Sequence, residues 1–169
     1  FVSKAFGFER GFDHFELLSL ATSGRVNQAV LPWLHSRKSR RPFFLYVHTL
    51  DPHLPYGDKF SASDAYRLQT LCQQGAYWGR TDPKLKGDLQ AAIRAYDQEI
   101  VANDASFGRL LEALKQRGHY DNTLIVVVPD HGEEFLDHGR VGHNNSLYQE
   151  LLHVPLIIKF PGSRGAGTR

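Results

Sequence analysis

TLIVVVPDHGEEFLDHGRVGH, residues 123–143, sets an apolar run, an Asp-His pair and two further histidines within one short stretch. Leu124 to Val128 is continuous, apolar and rich in β-branched residues, the composition of a strand buried on both faces of a parallel sheet. Asp130 and His131 stand where such a strand would end. Ligand groups of open α/β sheets lie beyond the carboxyl ends of the strands, so that position marks the pair as a candidate metal site. Gly132 lets the backbone turn sharply and leaves room for an ion or an oxyanion. A carboxylate with an imidazole suits Zn, Mn or Fe by ligand type, whereas Ca and Mg prefer oxygen, so the spacing leaves the ion open. Glu133, Glu134 and Asp137 follow the turn and are expected in solvent, and His138 is expected to be structural.

A second strand is expected at 43–50 (FFLYVHTL), and Asp51-Pro52-His53-Leu54-Pro55-Tyr56 follows it directly. Two prolines this close hold the backbone extended and stiff, presenting His53 at a second strand end. Helices are expected at 26–36, where Pro32 falls inside the pattern and Asn27 or Ser23 could cap the start, and at 88–117, which Gly118 ends. A short helix around 62–73 interrupts an otherwise irregular excursion from Gly57 to Lys86. Another is expected at 147–152, and a third strand at 155–160. The segment 6–15 (FGFERGFDHF) reads as a loop pinned by its phenylalanines. Strand, helix, strand, short helix, strand gives an α/β fold, three-layered, with a mostly parallel central sheet covered by helices.

With 169 residues, 41% hydrophobic and 22% charged, the composition is that of an ordinary globular domain. The net charge of +2, with basic residues clustered only at 37–41, argues against a nucleic-acid partner. Cys72, the single cysteine, excludes an internal disulfide framework and a multi-cysteine metal site. No run of about 18 apolar residues exists to span a membrane. The chain opens on Phe1, has no methionine and ends in a Gly-rich tail, so it reads as an incomplete fragment of a longer protein.

The run RPFFLYVHTLDPHLPY, the stretch YDQEIVANDASFGRLLEALKQRGHYDNTLIVVVPDHGEEFLDHG and the closing LYQELLHVPLIIKFPG together resemble the later part of the sulfatase family, within the alkaline-phosphatase superfamily. That resemblance implies residues 1–169 to be part of a single catalytic domain, hydrolysing a small-molecule or glycan sulfate ester at a divalent metal, usually Ca, in an extracytoplasmic setting. It implies Asp130 and His131 to be metal ligands and His53 to contact the sulfate or protonate the leaving oxygen. Histidine suits that task, because its ordinary titration range spans neutrality.

Two departures bear on this. Sulfatases make their nucleophile from Cys or Ser in a C/S-x-P-x-R motif, which this sequence lacks; Leu71-Cys72-Gln73 does not match it. Many also carry a sulfate-binding Lys after the segment equivalent to His138-Gly139, and His143 stands there instead, a candidate substrate-binding and catalytic histidine reached through a glycine-punctuated loop. Relatives that cleave phosphonate monoesters or phosphodiesters, or transfer phosphoethanolamine, share the scaffold, as would a metal-free binding module derived from it.

Overall fold

A computed structural model describes residues 3–38, 41–57, 61–71, 83–143 and 146–168. Its elements run α1 (Ser23–Ser36), α2 (Ala62–Leu71), α3 (Pro83–Gln116), β1 (Ile125–Val127), β2 (Glu134–Phe135), β3 (Val141–Gly142), α4 (Gln149–Leu152) and β4 (Ile157–Lys159). The segment expected as a Phe-pinned loop opens with a 3-10 turn, Lys4–Phe6, and leaves Phe6, Phe8 and Phe12 largely exposed. Cys72 lies outside the described residues.

Pro32 is accommodated inside α1. Neither Asn27 nor Ser23 caps that helix. Thr22 occupies the N-cap without a side-chain bond. Instead the Asp51 carboxylate accepts the backbone N–H of Ser23 at 2.5 Å, a tertiary cap for one of the amides a helix start leaves unpaired. Ser23 and Asn27 are buried against α3, where they bond to Ser106 Oγ and to the Ser106 carbonyl.

α3 starts five residues before the expected Asp88, at Pro83, whose missing N–H does no harm in a first turn. Its end follows expectation. Gly118 takes a left-handed φ of 67°, and His119 N–H turns back to the Leu114 carbonyl at 2.9 Å. The buried face of α3 is built from small residues, Ala92, Ala95, Ser106 and Ala113, with Leu110 and Leu114, while Ile100 is largely exposed. Small side chains let α1 and α2 approach closely. One core cluster joins Leu34 of α1 to Leu110, Ala113 and Leu114. The other gathers Tyr56, Ala65, Leu68, Ala92, Ala95, Leu136 and Val141, and it lies beneath the loops that carry chemistry.

The strands depart from expectation. β1 pairs antiparallel with β4, Val126 opposite Ile158, and β2 pairs antiparallel with β3, so no parallel ladder forms among the described residues. An apolar run has the same pattern in either direction, and here the direction is fixed from outside the strand. Lys159 Nζ donates to the carbonyls of Tyr120, Asp121 and Thr123, and Gly162 N–H donates to the Asp121 carbonyl at 2.7 Å, tying β4 back alongside the entry to β1. Nor is β1 buried on both faces: Leu124, Val126 and Val128 are each more than half exposed. Residues 43–50 are extended with alternating burial but join no ladder among the described residues; Phe43 and Val47 turn into the core cluster around Leu34.

Candidate functional site

β1 delivers Asp130 and His131 at its carboxyl end, as the sequence suggested. Gly132 is required for a different reason from the one expected. Its N–H donates to the Leu151 carbonyl at 2.8 Å, and a Cβ built there would lie 1.9 Å from the Glu150 carbonyl oxygen. Close approach of the α4 backbone, and not a left-handed turn, forbids a side chain.

The β2–β3 hairpin then folds the chain back. Gly139 and Gly142 adopt φ of 82° and 96°, and the return strand places the His143 ring 4.1 Å from that of His131, centroid to centroid. On the other side the His53 ring meets His143 edge-on at 5.3 Å. His53 and the hairpin-linked pair His131 and His143 thus line one place, with the Asp130 carboxylate beside them.

Each ring is oriented by a partner. His131 Nδ1 lies 2.8 Å from the Gly132 carbonyl. A carbonyl only accepts, so Nδ1 carries a proton, and in the neutral ring Nε2 is then the lone pair, the arrangement of a metal-ligating histidine. That Nε2 is 3.8 Å from Asp130 Oδ1, and the Asp130 side chain is 73% exposed. Two donors around one point fit a divalent cation as part of its ligand set, but among the described residues no group of three or more His, Cys, Asp or Glu is assembled to hold an ion. His53 Nδ1 likewise lies 2.6 Å from the Leu54 carbonyl, leaving Nε2 as the nitrogen that can meet a substrate.

His143 is held differently. Its Nδ1 donates to Glu133 Oε1 at 2.9 Å, and the Glu133 side chain is only 4% exposed. Tyr56, buried in the core, donates its hydroxyl to the other Glu133 oxygen at 2.8 Å. Burial, then the neighbouring Glu133 charge, pushes the Tyr56 hydroxyl far above the ordinary phenol range. Tyr56 therefore remains a donor. Tyr96 and Phe135 pack around it at ring distances of 5.4 and 6.1 Å, sealing the pair from water.

Glu133 and Glu134 therefore correct the expectation that they face solvent. Glu134 is buried and accepts the backbone N–H groups of His138 and Arg140 on one oxygen, which shapes the hairpin turn. Asp137 is exposed, as expected. His138 stacks on Tyr148 at 3.6 Å, in keeping with a structural role. Sequence reasoning missed Tyr56, the role of Glu133, and Glu99, whose carboxylate accepts the backbone N–H groups of His53 and Gly57. Burial raises the Glu99 carboxyl while those two amides pull it down. Glu99, Asn103 and Ser106 form a polar stripe at helical spacing, and that signal was legible.

The family model for sulfatases matches residues 23–168. The chain belongs to the sulfatase family. This sulfatase chain is 30% identical over 154 residues to an endo-4-O-sulfatase of Bacteroides thetaiotaomicron, covering 89% of this chain and 30% of the relative. It is 27% identical over 183 residues to an arylsulfatase of Clostridium perfringens, covering 99% of this chain and 36% of the relative. The structure of a phosphonate monoester hydrolase of Agrobacterium radiobacter superimposes with a TM-score of 0.59 at 26% identity, over 83% of this chain and 33% of that one. The fold is accordingly that of the alkaline-phosphatase superfamily, and the chain spans about a third of the length of these relatives.

Proposed function

We propose that the protein carrying this chain hydrolyses sulfate esters at a divalent cation, and that this chain contributes Asp130 and His131 to the metal and His53 and His143 to the substrate. The observation that supports the reading is the convergence of the three imidazoles beside Asp130 in a chain of the sulfatase family. The cation, Ca by family resemblance with Mn or Zn as alternatives, would draw off negative charge from the sulfate oxygens.

This chain's own residues do the rest. His143, its Nδ1 held by Glu133, turns Nε2 toward the anion and in its imidazolium form donates from there, where a preorganised donor stabilises charge as it develops. His53, in its imidazolium form, gives the Nε2 proton to the leaving oxygen as the S–O bond breaks. The attacking group comes from outside these 169 residues, which lack the C/S-x-P-x-R motif. Alone, the chain is expected to be inactive.

A second reading is phosphoryl chemistry. It is favoured by the likeness to a phosphonate monoester hydrolase and by a histidine where many sulfatases carry lysine. The test is a parallel assay of the intact protein, with its nucleophile matured, against an aryl sulfate, a phosphonate monoester and a phosphodiester. The proposal expects the highest kcat/KM on the sulfate and loss of turnover on chelation. Preference for a phosphoryl ester would replace it with the second reading.

A further inference from the structure

α3 presents Glu99, Asn103 and Ser106 along one side, and the first two hold the loop that carries His53. Glu99 Oε2 accepts the N–H of His53 at 3.2 Å and Oε1 accepts that of Gly57 at 2.5 Å, so one carboxylate spans the loop. One helical turn on, Asn103 Nδ2 donates to the Asp51 carbonyl at 2.6 Å and to Thr49 Oγ1 at 3.2 Å. The Asp51 side chain in turn holds the start of α1 through Ser23 N–H. Leu54 and Tyr56 pack one side of the loop into the core. Behind the loop lies a cavity of about 550 Å³, lined by Asp51, Tyr56, Gly57, Glu99 and Arg109 among others, and His53 itself is exposed. Polar bonds from α3 therefore hold the exposed side of the loop, where His53 stands.

We propose that Glu99 is a positioning residue for His53: its two-oxygen clamp on the His53 and Gly57 amides fixes the imidazole relative to His143. The proposal rests on the reading of His53 as the proton donor to the leaving oxygen. It predicts a specific pattern, because protonation matters most when the departing alkoxide is a strong base. A hydrogen bond to a charged acceptor is among the stronger ones, and a displacement of about 1 Å at a reacting group can lower turnover by about a hundredfold.

The experiment uses Glu99→Ala and the milder Glu99→Gln in the intact protein, with two readouts. Amide hydrogen exchange at His53 and Gly57 is expected to speed up by about tenfold or more in Glu99→Ala and by less in Glu99→Gln, which keeps one acceptor. Turnover of an alkyl sulfate is expected to fall by about a hundredfold with KM little changed, while an aryl sulfate with an acidic phenol loses much less. Unchanged exchange would overturn the clamp. Faster exchange with equal losses on both esters would reduce Glu99 to a structural brace and overturn the positioning role. If the wild-type protein cleaved neither sulfate ester, the functional reading would fall while the exchange result still decided the clamp.

Discussion

At the scale of single residues the site is a set of histidines each given one orientation. His143 shows this best, because its partner Glu133 is buried and itself held by Tyr56. His143→Ala should raise KM and lower kcat together, whereas His143→Lys should keep part of the activity by restoring a cation at the position where many sulfatases carry one. Steady-state kinetics on the intact protein would show it, and unchanged constants in both variants would remove His143 from the site. Tyr56→Phe takes a donor from a buried carboxylate and should cost about 1–3 kcal/mol. Its pH dependence has a definite sign. The folded Tyr56 hydroxyl titrates far above its ordinary value of 10.0, so its stabilisation is complete below that value and declines progressively as the pH rises beyond it toward the folded value. The Tm gap between wild type and Tyr56→Phe should therefore be constant up to about pH 9 and begin to narrow as the pH is raised above about 10. A constant gap would mean that Tyr56 is not held as described.

At the scale of elements, the sequence disclosed what local chemistry controls and hid what tertiary contacts control. The Gly118 stop of α3, the short helix before Pro155 and the emergence of Asp130 and His131 from a strand were all legible, because caps, prolines and strand composition act within a few residues. Strand direction was not, since Lys159 and Gly162 set it from outside the apolar run. The burial of Glu133 and Glu134 was also hidden: a carboxylate after a turn reads as solvated until the hairpin closes over it. Gly132 is where the two scales meet. Its Cβ would strike the Glu150 carbonyl, so Gly132→Ala must push α4 away from the turn holding His131. A loss of about 3 kcal/mol or more in chemical denaturation is expected. A near-neutral result would mean that α4 does not pack there.

On the scale of the whole molecule, the described surface is unusually apolar around the β1–β4 pair. Leu124, Val126 and Val128 on and beside one strand and Leu156, Ile157 and Ile158 on and beside the other are all more than 40% exposed, and Phe44 and Tyr46 of the extended segment are also bare. A two-stranded sheet is marginal by itself, and contiguous exposed apolar surface favours association. The 169-residue chain by itself is therefore expected to self-associate in sedimentation velocity and to bind a hydrophobic dye; a dye-silent monomer would contradict this. The central claim is that Asp130, His131, His53 and His143 build one metal-and-sulfate site. Anomalous diffraction from the intact protein crystallised with a divalent cation and sulfate tests it most directly. The metal is expected about 2.0–2.6 Å from Asp130 and from His131 Nε2, with a sulfate oxygen within hydrogen-bond reach of His53 and His143. An ion bound without Asp130 and His131, or a sulfate remote from both other histidines, would contradict it.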